Sequence, residues 1–124
     1  MSEPAVVEPL ALFRLDGQVA IVTGASSGLG ERFARVLHSV GAHVVVVARR
    51  RDRLEALSSE LPGSLVVVAD LSDEADRARV VADAMEAFGR IDVLVNNAGI
   101  SRATAIETEM LDDFRFAMEV NVTA

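Results

Sequence analysis

Cysteine, tryptophan and tyrosine are absent from this 124-residue chain, and so is lysine: all 12 basic residues are arginine. Without cysteine there is no disulfide framework, no thiolate nucleophile and no Cys-based zinc site. The two histidines, His38 and His43, are too few for a metal centre; they straddle an expected helix end and read as structural or solvent-facing. Without tyrosine or lysine, a reaction that needs a phenol as proton donor beside an ammonium cannot be completed by these residues. Positive charge is scarce as well. The net charge of −7 and the isoelectric point near 4.7 argue against a nucleic-acid partner, because phosphate backbones select for clustered Lys and Arg. No apolar run exceeds five residues, far short of the roughly 20 that span a bilayer. Residues 1–10 carry two Glu and two Pro and no basic stretch, unlike a signal peptide. Residues 1–12 are expected to form a mobile lead-in, no membrane partner is expected, and a cytoplasmic location is the default.

What is present is apolar. Hydrophobic residues make up 51% of the chain and the mean hydropathy is +0.32, which suits strands buried on both faces. The length allows one domain, burying roughly two-thirds of the unfolded chain's surface. Short β-rich runs at Val19–Val22, Val44–Val47, Leu65–Val68 and Ile91–Val95 alternate with segments of helical period, the pattern of a parallel α/β sheet. In the first helical segment Leu29, Phe33, Val36, Leu37 and Val40 form the apolar stripe and Gly41 stops it. The second runs from about Arg51 to Leu61 and ends at Pro62-Gly63. In the third, Ser72 is the expected N-cap, Ala78, Val81, Ala82, Met85 and Phe88 the buried stripe, and Gly89 the C′ residue. A fourth begins near Thr108 with Met110, Phe114, Ala117, Met118 and Asn121 on one face. It meets no glycine or proline stop, so the chain is expected to be the front part of a longer protein, the alternative being a short protein that ends in a frayed helix.

Five places carry chemistry. First, Thr23-Gly24-Ala25-Ser26-Ser27-Gly28-Leu29-Gly30 joins a strand to a helix. Gly24 permits positive φ, Gly28 leaves room for a diphosphate, and Gly30 allows the helix to approach the strand. The helix N-terminus faces the negative charge, and the hydroxyls of Ser26 and Ser27 add donors. A tight turn without a ligand has the same glycines. Second, the position after the second strand, where an NAD site commonly places an acid for the ribose hydroxyls, is Ala48, followed by Arg49-Arg50-Arg51. Arginines at a helix start oppose its dipole; a 2′-phosphate makes them favourable, so NADP(H) is favoured over NAD(H). A solvated surface run offset by Asp52 is the alternative. Third, Asp70 follows the third strand, placed either to accept from an adenine amino group or to cap the next helix. Asn96-Asn97-Ala98-Gly99 follows the fourth, either a turn or a flat backbone for a ring to lie against. Asn121 sits in an apolar stripe, so it has a buried partner or a function, since an unsatisfied buried amide costs roughly 1–3 kcal/mol.

In order and spacing these residues resemble the short-chain dehydrogenase/reductase family over about residues 13 to 124. Phe13–Ala20 is similar to the family's lead into its first strand, Thr23-Gly24-x-x-x-Gly28-x-Gly30 to its cofactor turn, Asp70-Leu71 to its adenine site, and Asn96-Asn97-Ala98-Gly99 to its fourth-strand motif. Arg49 matches NADP-preferring members. The resemblance implies a Rossmann-like, doubly wound parallel sheet, of which this chain holds the first four strands in the order 3-2-1-4. Helices 1 and 2 are expected on one face and helix 3 on the other. It further implies cofactor contacts at Thr23, Gly24, Ser26, Ser27, Gly28, Leu29, Gly30, Arg49, Asp70, Leu71, Asn97, Ala98 and Gly99. Of the catalytic tetrad it implies Asn121 alone, the Ser and Tyr-x-x-x-Lys segment lying beyond residue 124. The implied activity is NAD(P)-dependent interconversion of an alcohol and a carbonyl, with a small-molecule substrate and a homo-oligomer for the complete protein. A dinucleotide-binding module without catalysis, or an interaction module, is the alternative.

Overall fold

The computed structural model describes residues 9–99 together with Arg115 and Met118. A short 3-10 helix, Pro9–Phe13, exposed at every residue, runs from the end of the expected lead-in into the first residue beyond it. Then follow β1 (Val19–Thr23), α1 (Gly28–Ser39), β2 (His43–Ala48), α2 (Arg51–Ser59), β3 (Leu65–Val68), α3 (Glu74–Phe88) and β4 (Val93–Val95). The sheet order is β3-β2-β1-β4 and every pairing is parallel. The expected fold class, four-strand order and parallel pairing hold.

β1 is buried at every position and β2 at four of its six. Their side chains alternate between two cores, as the two-residue period of a strand requires. Ala20, Val22, Val44 and Val46 pack with Ala34 of α1 and with Leu54 and Leu57 of α2. Val19, Ile21, Val45 and Val47 pack with Val80 and Ala84 of α3 on the opposite face. Helices 1 and 2 therefore share one layer and α3 forms the other, as expected for right-handed crossovers. β4 is shorter than expected because Asp92 has another task. Its amide donates to the Val19 carbonyl at 2.9 Å, and its carboxylate accepts the Val19 amide at 2.8 Å while Arg90 grips it from the side. That bracket fixes where β4 enters the ladder beside β1.

Three expectations about the helices are corrected. In α1 the buried residues are Gly30 and Ala34, with Leu37 half-buried, whereas Leu29, Phe33 and Val36 are exposed. In α3 the buried residues are Val80 and Ala84; Ala78, Val81, Ala82 and Met85 are exposed, and only Phe88 of the expected stripe packs against the core. α1 lies close to the sheet on its small residues Gly30 and Ala34, and α3 packs on Val80 and Ala84, so the expected stripes turn away from the sheet. Third, the N-cap of α3 is Asp73, whose Oδ1 accepts from Ala75 N at 2.8 Å and Asp76 N at 3.4 Å. Ser72 instead donates to Asp70. Gly89 closes α3 in the left-handed conformation as expected. His38 Nε2 donates to the Pro62 carbonyl oxygen at 3.0 Å and His43 stacks on Phe88, so both histidines serve the structure.

Candidate functional site

The carboxyl ends of the four strands, with the loops that follow them, border a cleft of about 340 Å³. That is where ligands sit in open α/β sheets, at the point where strand order reverses, and the size falls in the range of small-molecule sites. Gly24, Ser26 and Ser27 form one wall. Arg49 and Arg50 stand at the end of β2, Asp70 and Leu71 after β3, and Asn97, Ala98 and Gly99 after β4.

The glycine turn is held tightly. Ala25 N donates to the Val47 carbonyl at 3.1 Å, tying the turn to β2. Gly24 and Gly28 both have left-handed φ, 63° and 59°. A Cβ on Gly30 would overlap the Gly24 carbonyl oxygen and lie 2.6 Å from its carbon. Only a residue without a side chain lets α1 start there. Above Gly28 the space is open, with nothing within 4 Å of a built Cβ. Ser27 is the N-cap of α1 with an extended backbone, yet its side chain makes no capping bond. Its hydroxyl remains available to a ligand, beside first-turn amides that have no intrahelical acceptor. This donor set and open cradle fit a diphosphate.

Thr23 works differently from a contact residue. It is 5% exposed. Its Oγ1 donates to the Val95 carbonyl at 3.3 Å and accepts from the amides of Asn97 and Ala98, both at 2.9 Å. Asn97 Nδ2 reaches back to the Gly24 carbonyl at 3.4 Å. One hydroxyl thus locks the loop after β4 onto the glycine turn. Thr23→Val should cost about 1–3 kcal/mol, since it strands two donors, whereas Thr23→Ser should cost less. Urea unfolding of the two variants measures the difference.

Asp70 is half-buried at the opposite wall. Its Oδ1 accepts from the Ser72 hydroxyl at 2.7 Å and the Ser72 amide at 3.0 Å. Its own amide donates to Asp76 at 2.8 Å, and Arg77 and Arg79 hold the carbonyls of Leu71 and Val68. The Ser72 hydroxyl, then the Ser72 amide and the Arg49 charge hold the Asp70 carboxyl below its ordinary value, against the effect of burial. Among the described residues Oδ2 has no partner, leaving an acceptor for a ligand. Because the folded value lies below the unfolded one, the stabilisation from Asp70 is complete above the ordinary pKa of 3.8. It is lost as pH falls through the lowered value. Asp70→Asn should therefore flatten the acid limb of a stability-against-pH curve.

A profile of the short chain dehydrogenase family matches residues 18–124. The chain belongs to the short-chain dehydrogenase family. Over 115 residues it is 43% identical to dehydrogenase/reductase SDR family member 7B of Mus musculus, covering 86% of this chain and 36% of that protein. It is 41% identical over 115 residues to D-threitol dehydrogenase of Mycolicibacterium smegmatis, covering 90% and 44%. The crystal structure of 3-ketoacyl-(acyl-carrier-protein) reductase from Brucella melitensis complexed with NADH superimposes with a TM-score of 0.82 at 41% identity. That superposition covers 87% of this chain and 46% of the reductase. The chain spans less than half the length of each of these proteins.

Within this short-chain dehydrogenase fold, Gly24, Ser26, Ser27, Arg49, Asp70, Leu71, Asn97, Ala98 and Gly99 come together around the cleft. Thr23, Gly28, Leu29 and Gly30 do not line it: Thr23 and Gly30 shape it from behind, and Leu29 is 67% exposed on the α1 flank. Asn121 lies outside the described residues. Val47, Ala48, Arg50 and Ala69 also line the cleft and were not singled out as contacts. They flank Arg49 and Asp70 in sequence, which is the signal that marks them. Arg50 is the N-cap of α2 and pairs with Asp52 at 3.4 Å. Among the described residues there is no cluster of metal-ligating side chains, and no helix is long and apolar enough to cross a membrane.

Proposed function

We propose that this chain is the cofactor-binding half of an NAD(P)-dependent oxidoreductase that interconverts an alcohol and a carbonyl, and that it prefers NADP(H). The observation that supports this reading most is the distribution of chemistry around one cleft. Hydroxyls and open space lie at the glycine turn, a cation follows β2, a free carboxylate oxygen follows β3, and side-chain-poor backbone follows β4. A dinucleotide has a matching order of groups: diphosphate, ribose, adenine and a flat nicotinamide ring. The nicotinamide supplies the hydride. The chain's own residues bind and orient: Ser26 and Ser27 donate to the diphosphate, Asp70 accepts from the adenine amino group, and Ala98 and Gly99 leave a surface for a ring.

The preference rests on β2. Ala48 offers no carboxylate to ribose hydroxyls, and Arg49 is exposed with no hydrogen-bonded partner among the described residues. A 2′-phosphate would neutralise it. Asn121 is proposed to hold a water in the proton path, and the tyrosine and lysine that move the substrate proton are proposed to lie in the remainder of a longer protein. Relatives as different as a threitol dehydrogenase and a ketoacyl reductase leave the substrate at the level of an alcohol or carbonyl.

Titration of the chain with NADPH and NADH tests the reading. NADPH is expected to bind more tightly, and Arg49→Asp is expected to erase the difference by repelling the 2′-phosphate. Equal affinities before and after the change would mean that the arginines are surface charge. Leu94, 63% exposed on edge strand β4, favours a second reading, an interaction module. Absence of saturable binding by either nucleotide would favour it.

A further inference from the structure

Past Ala69, whose amide donates to the Ala48 carbonyl at 3.0 Å, the chain leaves the sheet. From there the start of α3 holds it. Asp76 Oδ2 accepts the Asp70 amide at 2.8 Å. Asp76 Oδ1 lies 3.4 Å from Arg79, whose guanidinium also donates to the Val68 carbonyl at 2.5 Å. Asp76 stands three residues after the N-cap Asp73, where an acidic side chain commonly reaches back to the N-cap amide. Here that amide donates to the Asp70 carbonyl at 3.0 Å instead. Asp76 reaches past it to the backbone of the residue that walls the cleft. Two constraints therefore meet on Asp70. Asp76 fixes its backbone, and Ser72, donating twice to Oδ1, fixes the turn of its carboxylate.

We propose that Asp76, which does not line the cleft, is a positioning residue for base recognition. It holds the Asp70 backbone so that the free Oδ2 is already in place for a purine amino group. An acceptor fixed before binding discriminates between ligands at no further ordering cost, whereas a loose one must be ordered by the ligand. Asp76 thus acts through Asp70, from the far side of the segment, without touching the ligand. The proposal rests on the reading above that Asp70 accepts from the adenine amino group.

The test titrates the full chain and four variants, Asp76→Ala, Asp76→Ser, Asp76→Asn and Asp70→Asn, with NADPH and with its hypoxanthine analogue. The analogue carries a carbonyl oxygen in place of the adenine amino group, so the unaltered chain is expected to prefer NADPH. Asp76→Ala should reduce that preference about three- to tenfold, the worth of one hydrogen bond. Asp76→Ser is a second removal that suits a helix start, its hydroxyl one bond too short for the Asp70 amide. Asp76→Asn keeps an acceptor and should retain most of the preference. A merely structural role would weaken both dinucleotides alike and leave their ratio unchanged. If Asp70→Asn erases the preference while Asp76→Ala and Asp76→Ser keep it, the inference is overturned and the reading of Asp70 stands. If the unaltered chain binds both dinucleotides equally, or neither, the reading fails and takes the inference with it.

Discussion

Gly30→Ala is expected to destabilise the chain by about 3 kcal/mol and to abolish nucleotide binding. The new methyl group would overlap the Gly24 carbonyl oxygen and lie 2.6 Å from its carbon and 2.7 Å from Asn97 Nδ2. Backbone atoms cannot swing away as a flexible side chain can. Overpacking of this kind costs roughly 1–3 kcal/mol, occasionally more. Against that stands only the better helix propensity of alanine, up to about 1 kcal/mol. To relieve the overlap α1 must retreat from β1, and its first-turn amides retreat with it. Gly63→Ala is the control. Gly63 has φ +83° but nothing within 4 Å of a built Cβ, so it should cost only the left-handed backbone penalty of about 1–2 kcal/mol. Urea unfolding of both variants decides the matter: Gly30→Ala at least as stable as Gly63→Ala would mean that α1 does not approach the turn so closely.

The second large effect is an absence of turnover. The chain by itself should not oxidise NADPH with any ketone or aldehyde above the solution background. A hydride moves productively only if the proton on the substrate oxygen is handled, and positioned acid–base groups contribute about 10²–10⁴-fold. The described titratable groups lining the cleft are Arg49, Arg50 and Asp70. Arginine does not release its proton near neutrality. Asp70 is held below the ordinary carboxyl range, so it is ionised at pH 7 and has no proton to give. The whole sequence contains no tyrosine and no lysine. Turnover by the pure chain that scales with its concentration would show that another group performs the task.

Strands and site were legible in the sequence for the same physical reason. A strand covered on both faces must be apolar throughout, and Val44–Val47 can hardly be read otherwise. The glycine turn, Asp70 and the Asn96–Gly99 segment sit at strand ends, so the sheet alone gathers most of them into one cleft. The helix faces were less legible. Apolar periodicity weighs large residues, and it selected Leu29, Phe33 and Val36 in α1 and Val81 and Met85 in α3. Packing against the sheet instead selected the small residues Gly30 and Ala34 in α1, and in α3 Val80 and Ala84, each one position before the expected Val81 and Met85. In α1 the small pair Gly30 and Ala34, four residues apart, was the available signal; in α3 residue size carried none, because Ala78 and Ala82 have the same spacing and are exposed. The inner role of Thr23 was not legible at all, because its partners lie 72 to 75 residues away in the chain. Nor was the capping by Asp73, since Ser72 and Asp73 are both good caps and only the Asp70 carboxylate decides between them.

The most direct test of the central claim is a titration of the isotope-labelled chain with NADP⁺, followed through its backbone amide resonances. The account predicts saturable shifts at Gly24, Ser26 to Gly30, Arg49, Asp70, Leu71 and Asn97 to Gly99, with Leu61 to Ser64 at the amino-terminal edge of β3 unmoved. Shifts absent from the glycine turn, or centred on that opposite edge of the sheet, would contradict it.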